Sequence, residues 1–151
     1  MVATSAHALS QTHDASAAKD GRYETLLATY VASLDEDAMA RAYRDDDGFL
    51  LLPRLLPDAL LTEMVAEARA LMPRATRKRV PFVRKAGAIP HPIVEREAPA
   101  LHALHRSASL LEMFQRVTGV PLEHRHPEEA HQSALYTYTE PGDFMDWHYD
   151  E

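Results

Sequence analysis

The chain has 151 residues, 46% of them apolar, with no cysteine and a formal net charge of -7. That size and composition allow one domain with a real core and exclude wholesale disorder. The acidic balance argues against a nucleic-acid binder, and the missing cysteines exclude a disulfide framework or a thiolate zinc site. No apolar run is long enough to span a bilayer, and the N-terminus lacks signal-peptide features, so a soluble cytoplasmic protein is expected.

Residues 1–21 are rich in Ala, Ser, Thr and His without periodicity and read as a disordered leader, which leaves 22–151 as the folded part. Tyr23, Leu26, Leu27, Tyr30, Val31 and Leu34 then fall on one stripe of an amphipathic helix. Asp35 is placed to cap a second, shorter helix running to Tyr43. Asp45-Asp46-Asp47-Gly48 reads as a solvated turn, because no calcium-loop ligand series follows it. Phe49 to Leu52 is a short apolar run between Gly48 and Pro53, predicted as a buried strand. Asp58 starts the next helix, whose core face is predicted as Leu60, Leu61, Met64, Val65, Ala68, Leu71 and Met72, with Pro73 as its end.

Arg74, Arg77, Lys78, Arg79, Arg84 and Lys85 form the one basic cluster. It reads as a solvated loop. The functional alternative is a substrate rim, since a guanidinium grips a carboxylate through two parallel bonds. Gly87 to Pro92 looks irregular, with His91 a candidate pocket residue between two prolines. Pro99 to Arg106 and Ser109 to Thr118 are predicted helices, the second with a Ser109–Glu112 capping box and a Gly119 stop. His102 and His105 stand one helical turn apart and read as a surface pair. His124, His126 and His131 accompany Glu123, Glu128 and Glu129 at no recognised zinc spacing, and a polar loop is preferred there.

The final stretch, Leu135 to Glu151, reads as two strands joined by a Pro141-Gly142 turn. The strand period of two puts Phe144, Asp146, His148 and Asp150 on one face. His148 and Asp150 are thus spaced to supply two of the three ligands of a 2-His-1-carboxylate site for non-haem Fe(II). A His-x-Asp tripeptide alone is weak evidence in a chain with nine histidines.

Its context is more specific. Tyr138 to Asp150 resembles the metal-binding hairpin of Fe(II)/2-oxoglutarate-dependent oxygenases, and Ala42 to Leu61 looks like the N-terminal entry of their phytanoyl-CoA-dioxygenase-like branch. The wording Gly142-Asp143-Phe144-x-x-Trp147-His148-Tyr149-Asp150 is similar to that of free-amino-acid halogenases and hydroxylases. The resemblance implies an α+β fold built on a double-stranded β-helix, the jelly-roll or cupin-like barrel, with N-terminal helices packed outside it. It also implies that the sequence ends early in the barrel. The distal His and the 2-oxoglutarate-binding Arg are then expected beyond Glu151, and the part up to Glu151 is expected to be inactive alone.

The implied cofactors are Fe(II) and 2-oxoglutarate, with O2 as co-substrate and His148 and Asp150 as metal ligands. The strand before the turn is expected to contact 2-oxoglutarate through Thr139 or Thr137 in one register and Tyr138 in the next. Arg84 and Glu151 are the candidate substrate contacts. The resembling halogenases carry a small residue where Asp150 stands, so the implied reaction is hydroxylation of a small polar molecule such as a free amino acid. The partner is thus a small-molecule substrate, with neither nucleic acid nor membrane involved, and the oligomeric state is left open. The alternatives are a radical halogenase of the same fold, a non-catalytic interaction module, or a zinc hydrolase built on His124, His126 and His131.

Overall fold

Spacings of three and four between apolar residues fold most of residues 21–118 into helices, and the stretches between and after them form a sheet. A computed structural model describes residues 21–126 and 133–146. The elements are α1 (21–31), α2 (Glu36–Asp45), α3 (Asp58–Leu71), a 3-10 turn (Met72–Arg74), β1 (Thr76–Val80), β2 (Arg84–Pro90), α4 (His91–Glu97), α5 (Pro99–Arg106), α6 (Ala108–Thr118), β3 (Ala134–Thr137) and β4 (Phe144–Met145). The fold is α+β. Most of the expected leader, residues 1–20, lies outside the described residues, and no helix among those described is long and apolar enough to cross a membrane.

The helical core is where the stripes meet. Tyr23, Leu27 and Val31 of α1 pack with Leu60 and Met64 of α3, Ala100 and Ala103 of α5, and Leu110, Met113 and Val117 of α6. Leu27, Leu60 and Met113 are fully shielded from solvent, and each such side chain contributes about 1.5–3 kcal/mol of apolar burial. The expected core face of α3 is narrower than the sequence suggested, because Leu61, Val65 and Met72 are exposed. A second, smaller cluster joins the helices to the sheet through Leu71, Ile89, Val94 and Ala98.

The helix ends are satisfied partly by neighbouring helices. Asp35 caps α2 as predicted, accepting from the Ala38 amide at 2.9 Å. Gly119, at φ 72°, ends α6 in the left-handed conformation a glycine tolerates. The expected Ser109–Glu112 box is corrected. Ser107 is the N-cap, accepting from Leu110 N at 3.2 Å, and Ser109 instead gives its amide and hydroxyl to Glu24 of α1 at 2.9 and 2.6 Å. Glu67 of α3 likewise accepts the Ala100 and Leu101 amides of α5, each at 3.0 Å.

Three other expectations are overturned. Phe49 to Leu52 forms no strand; Phe49 and Leu51 are exposed, and only Leu50 packs against the helical core. Positive φ angles at Asp47, Gly48 and Arg54 bend the chain on both sides of this run and deny it a partner. The basic stretch is no loop but an antiparallel hairpin, β1 against β2, turning at Phe82 with φ 61°. Gly87 to Pro92 is not irregular either. β2 runs through Pro90 and α4 begins at His91, with Pro92 in the first turn, where its missing N–H costs nothing.

The C-terminal stretch is also not a hairpin. β3 pairs antiparallel with Gly87–Pro90 of β2, and β4 pairs antiparallel with Arg84–Lys85 of the same strand. Both therefore run the same way along one edge of β2. β4 continues β3 after the chain has looped out over 138–143, opposite the single residue Ala86. The sheet is open, and no strand among the described residues closes it into a barrel.

Candidate functional site

The 138–143 loop is held by one carboxylate. Asp143 Oδ2 accepts the Thr139 and Glu140 amides at 2.9 and 3.0 Å, and the Asp143 amide returns to the Glu140 carbonyl at 3.1 Å. Gly142, at φ 79°, supplies the left-handed residue such a tight turn requires. From β1, on the far side of β2, Arg77 grips both carboxylate oxygens of Asp143 and also reaches Glu140 at 3.0 Å. The Asp143 side chain is almost fully enclosed. Arg77 above all holds its carboxyl well below the usual carboxylate range; burial opposes this, and the Glu140 and Thr139 amides add to the lowering. Lys85 adds a second cation, 3.7 Å from Asp143 and 3.4 Å from the Pro141 carbonyl. Arg77 and Lys85, read from sequence as loop residues, thus fasten the loop that leads into β4.

Register fixes what shares a face. Arg77, Gly87 and Thr137 stand side by side across β1, β2 and β3, and Lys85 stands beside Phe144. An added Cβ on Gly87 would lie 2.3 Å from Thr137 Oγ1, so only glycine lets the strands sit this way. Thr137 is buried at that contact, whereas Thr139 and Tyr138 are exposed on the loop. Arg84 shares the opposite face with Met145 and Tyr136. Its guanidinium lies 4.9 Å over the Tyr136 ring and donates to the Tyr136 hydroxyl. The strand is in register up to Asp146, whose amide donates to the Val83 carbonyl at 2.8 Å. His148, Asp150 and Glu151 lie outside the described residues.

A second constellation sits where α4, α5 and the start of β3 meet. His91 is 5% exposed, and its Nδ1 is 2.8 Å from Ser133 Oγ. His102 and His105 are not a surface pair. Their rings lie 5.7 and 5.8 Å from that of His91, and all three line a cavity of about 160 Å³ with Ser133 and Leu135. Burial first, and then the neighbouring imidazoles of His91 and His124, lower the His105 pKa. His124 meets His105 at 6.5 Å, and its buried Nε2 has no hydrogen-bond partner among the described residues. His131, Glu128 and Glu129, the rest of the expected metal-like cluster, lie outside those residues.

Sequence reasoning missed Glu95 and undervalued His91. The four-residue spacing of His91 and Glu95, with Pro92 marking a helix start, was the available signal. One donor atom each of His91, Glu95 and His102 lies within 4.8 Å of the others, close enough to converge on one ion.

No curated protein and no solved structure matches the chain. The model of the Halogenase D family matches residues 32–151, from the end of the first helix through the β4 stretch and His148-Tyr149-Asp150. With well over half of its length matched, the chain belongs to the Halogenase D family.

Proposed function

We propose that the protein is a non-haem Fe(II)- and 2-oxoglutarate-dependent oxygenase that hydroxylates a small polar substrate such as a free amino acid. On this reading β1 to β4 belong to a jelly-roll sheet. The observation that carries it is Asp150, two residues after His148, within the segment that matches the family. The donor chemistry fits: an imidazole and a carboxylate at strand spacing are two-thirds of the ligand set this metal prefers. The strand leading to them is fixed in register as far as Asp146. His148 and Asp150 would hold the ion, which with 2-oxoglutarate and O2 supplies the oxidising power for C–H hydroxylation.

The chain's own residues position and bind. Arg77 and Asp143 hold the loop before the ligand strand, so the site would not have to order it when substrate arrives. Thr139 and Tyr138, exposed on that loop, are the proposed 2-oxoglutarate contacts. Arg84, the expected partner of a substrate carboxylate, stands with Met145 and Tyr136 on the sheet face opposite Phe144, so on this register it supports Tyr136 and does not reach the ligand face. Glu151 would face a substrate ammonium group.

The family's name favours a second reading, halogenation. Asp150 weighs against it, since a carboxylate on the ion takes the place that chloride would need. Turnover of free amino acids by the full-length protein, with 2-oxoglutarate, labelled O2 and excess chloride, separates the two by mass spectrometry. The expected main product carries one labelled oxygen, with succinate formed alongside. A chlorinated main product would replace the hydroxylase reading with the halogenase one.

A further inference from the structure

His91 and Glu95 stand four residues apart on α4, hence on one helical face, and α5 brings His102 against them. His102 Nε2 is 3.9 Å from Glu95 Oε1. We propose that His91, Glu95 and His102 bind a divalent transition ion of the zinc class, at a site separate from His148 and Asp150, and that this ion clasps α4 to α5.

Four observations carry the proposal. First, the donors are near their bound spacing. A tetrahedral ion with bonds of about 2.0–2.2 Å holds its ligand atoms roughly 3.3 Å apart. The present 4.8 Å envelope closes to that by rotating side chains, above all that of Glu95, which is more than half exposed and long enough to swing. Second, the donor set of two imidazoles and one carboxylate suits zinc-class ions and is poor for calcium or magnesium, which prefer oxygen alone. Third, Ser133 supports His91 as an outer hydroxyl supports a metal-bound imidazole. When Nδ1 donates to Ser133, Nε2 carries the lone pair a metal requires. Fourth, the adjoining cavity of about 160 Å³ has room for the water that completes a three-ligand site. A histidine buried only to fill the core would need the serine, but neither the second imidazole nor the carboxylate opposite.

The test uses the whole chain with His148→Ala and Asp150→Ala, freed of metal and titrated with Co(II) alone and then with Zn(II). One equivalent of Co(II) should bind with the intense visible bands of a four-coordinate ion, and Zn(II) should displace it. Adding Glu95→Gln or His102→Gln should weaken binding at least roughly tenfold, and Ser133→Ala by roughly tenfold. Glu95 is exposed, so Glu95→Gln keeps the fold, which its metal-free circular dichroism checks. Absence of the bands in the His148→Ala, Asp150→Ala chain, or binding indifferent to Glu95→Gln, overturns the proposal. Should that double variant not fold, the unaltered chain decides: Glu95→Gln must remove one equivalent from its total metal stoichiometry, and an unchanged total refutes the site.

Discussion

Replacing Gly87 by alanine tests whether the sheet is set by the contact of β2 with β3. Gly87 has no positive φ, so the backbone accepts alanine and the effect is one of space. Elsewhere such a change stabilises by about 0.4–1 kcal/mol by restricting the unfolded chain. Here the new Cβ would meet Thr137 Oγ1 at 2.3 Å and Ala75 Cβ at 3.0 Å. Thr137 is held by burial and by its pairing with Gly87, so the strands have to shift apart. Overpacking of this kind costs about 1–3 kcal/mol, which leaves a net loss of about 1–2 kcal/mol and several degrees in Tm. Thr137→Ala removes the closest atom. In that background Gly87→Ala should cost about 1 kcal/mol less, a coupling that chemical denaturation of the four chains measures directly. Equal costs in both backgrounds would show that Thr137 does not press on Gly87 and that the register is held by something else.

Asp143→Ala should open the loop, seen as faster amide exchange at Thr139 and Glu140, while Asp143→Asn keeps part of their protection. Because Asp143 is held below its ordinary range, its contribution is full above the unfolded carboxylate value of about 4 and is lost only as pH falls below that. Protection of the two amides should therefore persist from neutral pH to about pH 4; an earlier loss contradicts the clamp. Arg84→Ala should lower Tm by a few degrees through its lost contacts with Tyr136, at unchanged KM for a carboxylate substrate. A raised KM at unchanged Tm would return Arg84 to the substrate site.

What the sequence disclosed followed how local the signal was. The stripe Tyr23, Leu27, Val31, the Asp35 cap and the Gly119 stop each depend on a few neighbouring residues, and each appears where periodicity and capping put it. Phe49 to Leu52 failed because four apolar residues fit a strand or a packed loop equally well, and only a partner strand decides. Arg77 was illegible for the same reason. Its partner Asp143 lies 66 residues away, and nothing local tells a solvated cation from one enclosed by a distant carboxylate. The Pro141-Gly142 turn was located correctly, yet a turn signal does not say whether the chain reverses onto itself or rejoins the same neighbour. His102 and His105 looked like a surface pair because burial by α4 and by the chain at Ser133 leaves no trace in their own spacing.

The two carboxylates that finish helices other than their own have a kinetic meaning. Glu67 reaches 33 residues along the chain to the start of α5, and Glu24 reaches 85 to the start of α6. α5 has no side-chain cap of its own and Ser107 of α6 covers only the Leu110 amide, so the remaining first amides stay open until α3 or α1 has docked. Contacts of such long range form late and slow the search, but they also tie four helices into one cooperative unit. The amides of Ala100, Leu101 and Ser109 should then exchange only when the whole helical layer opens, and not by local fraying.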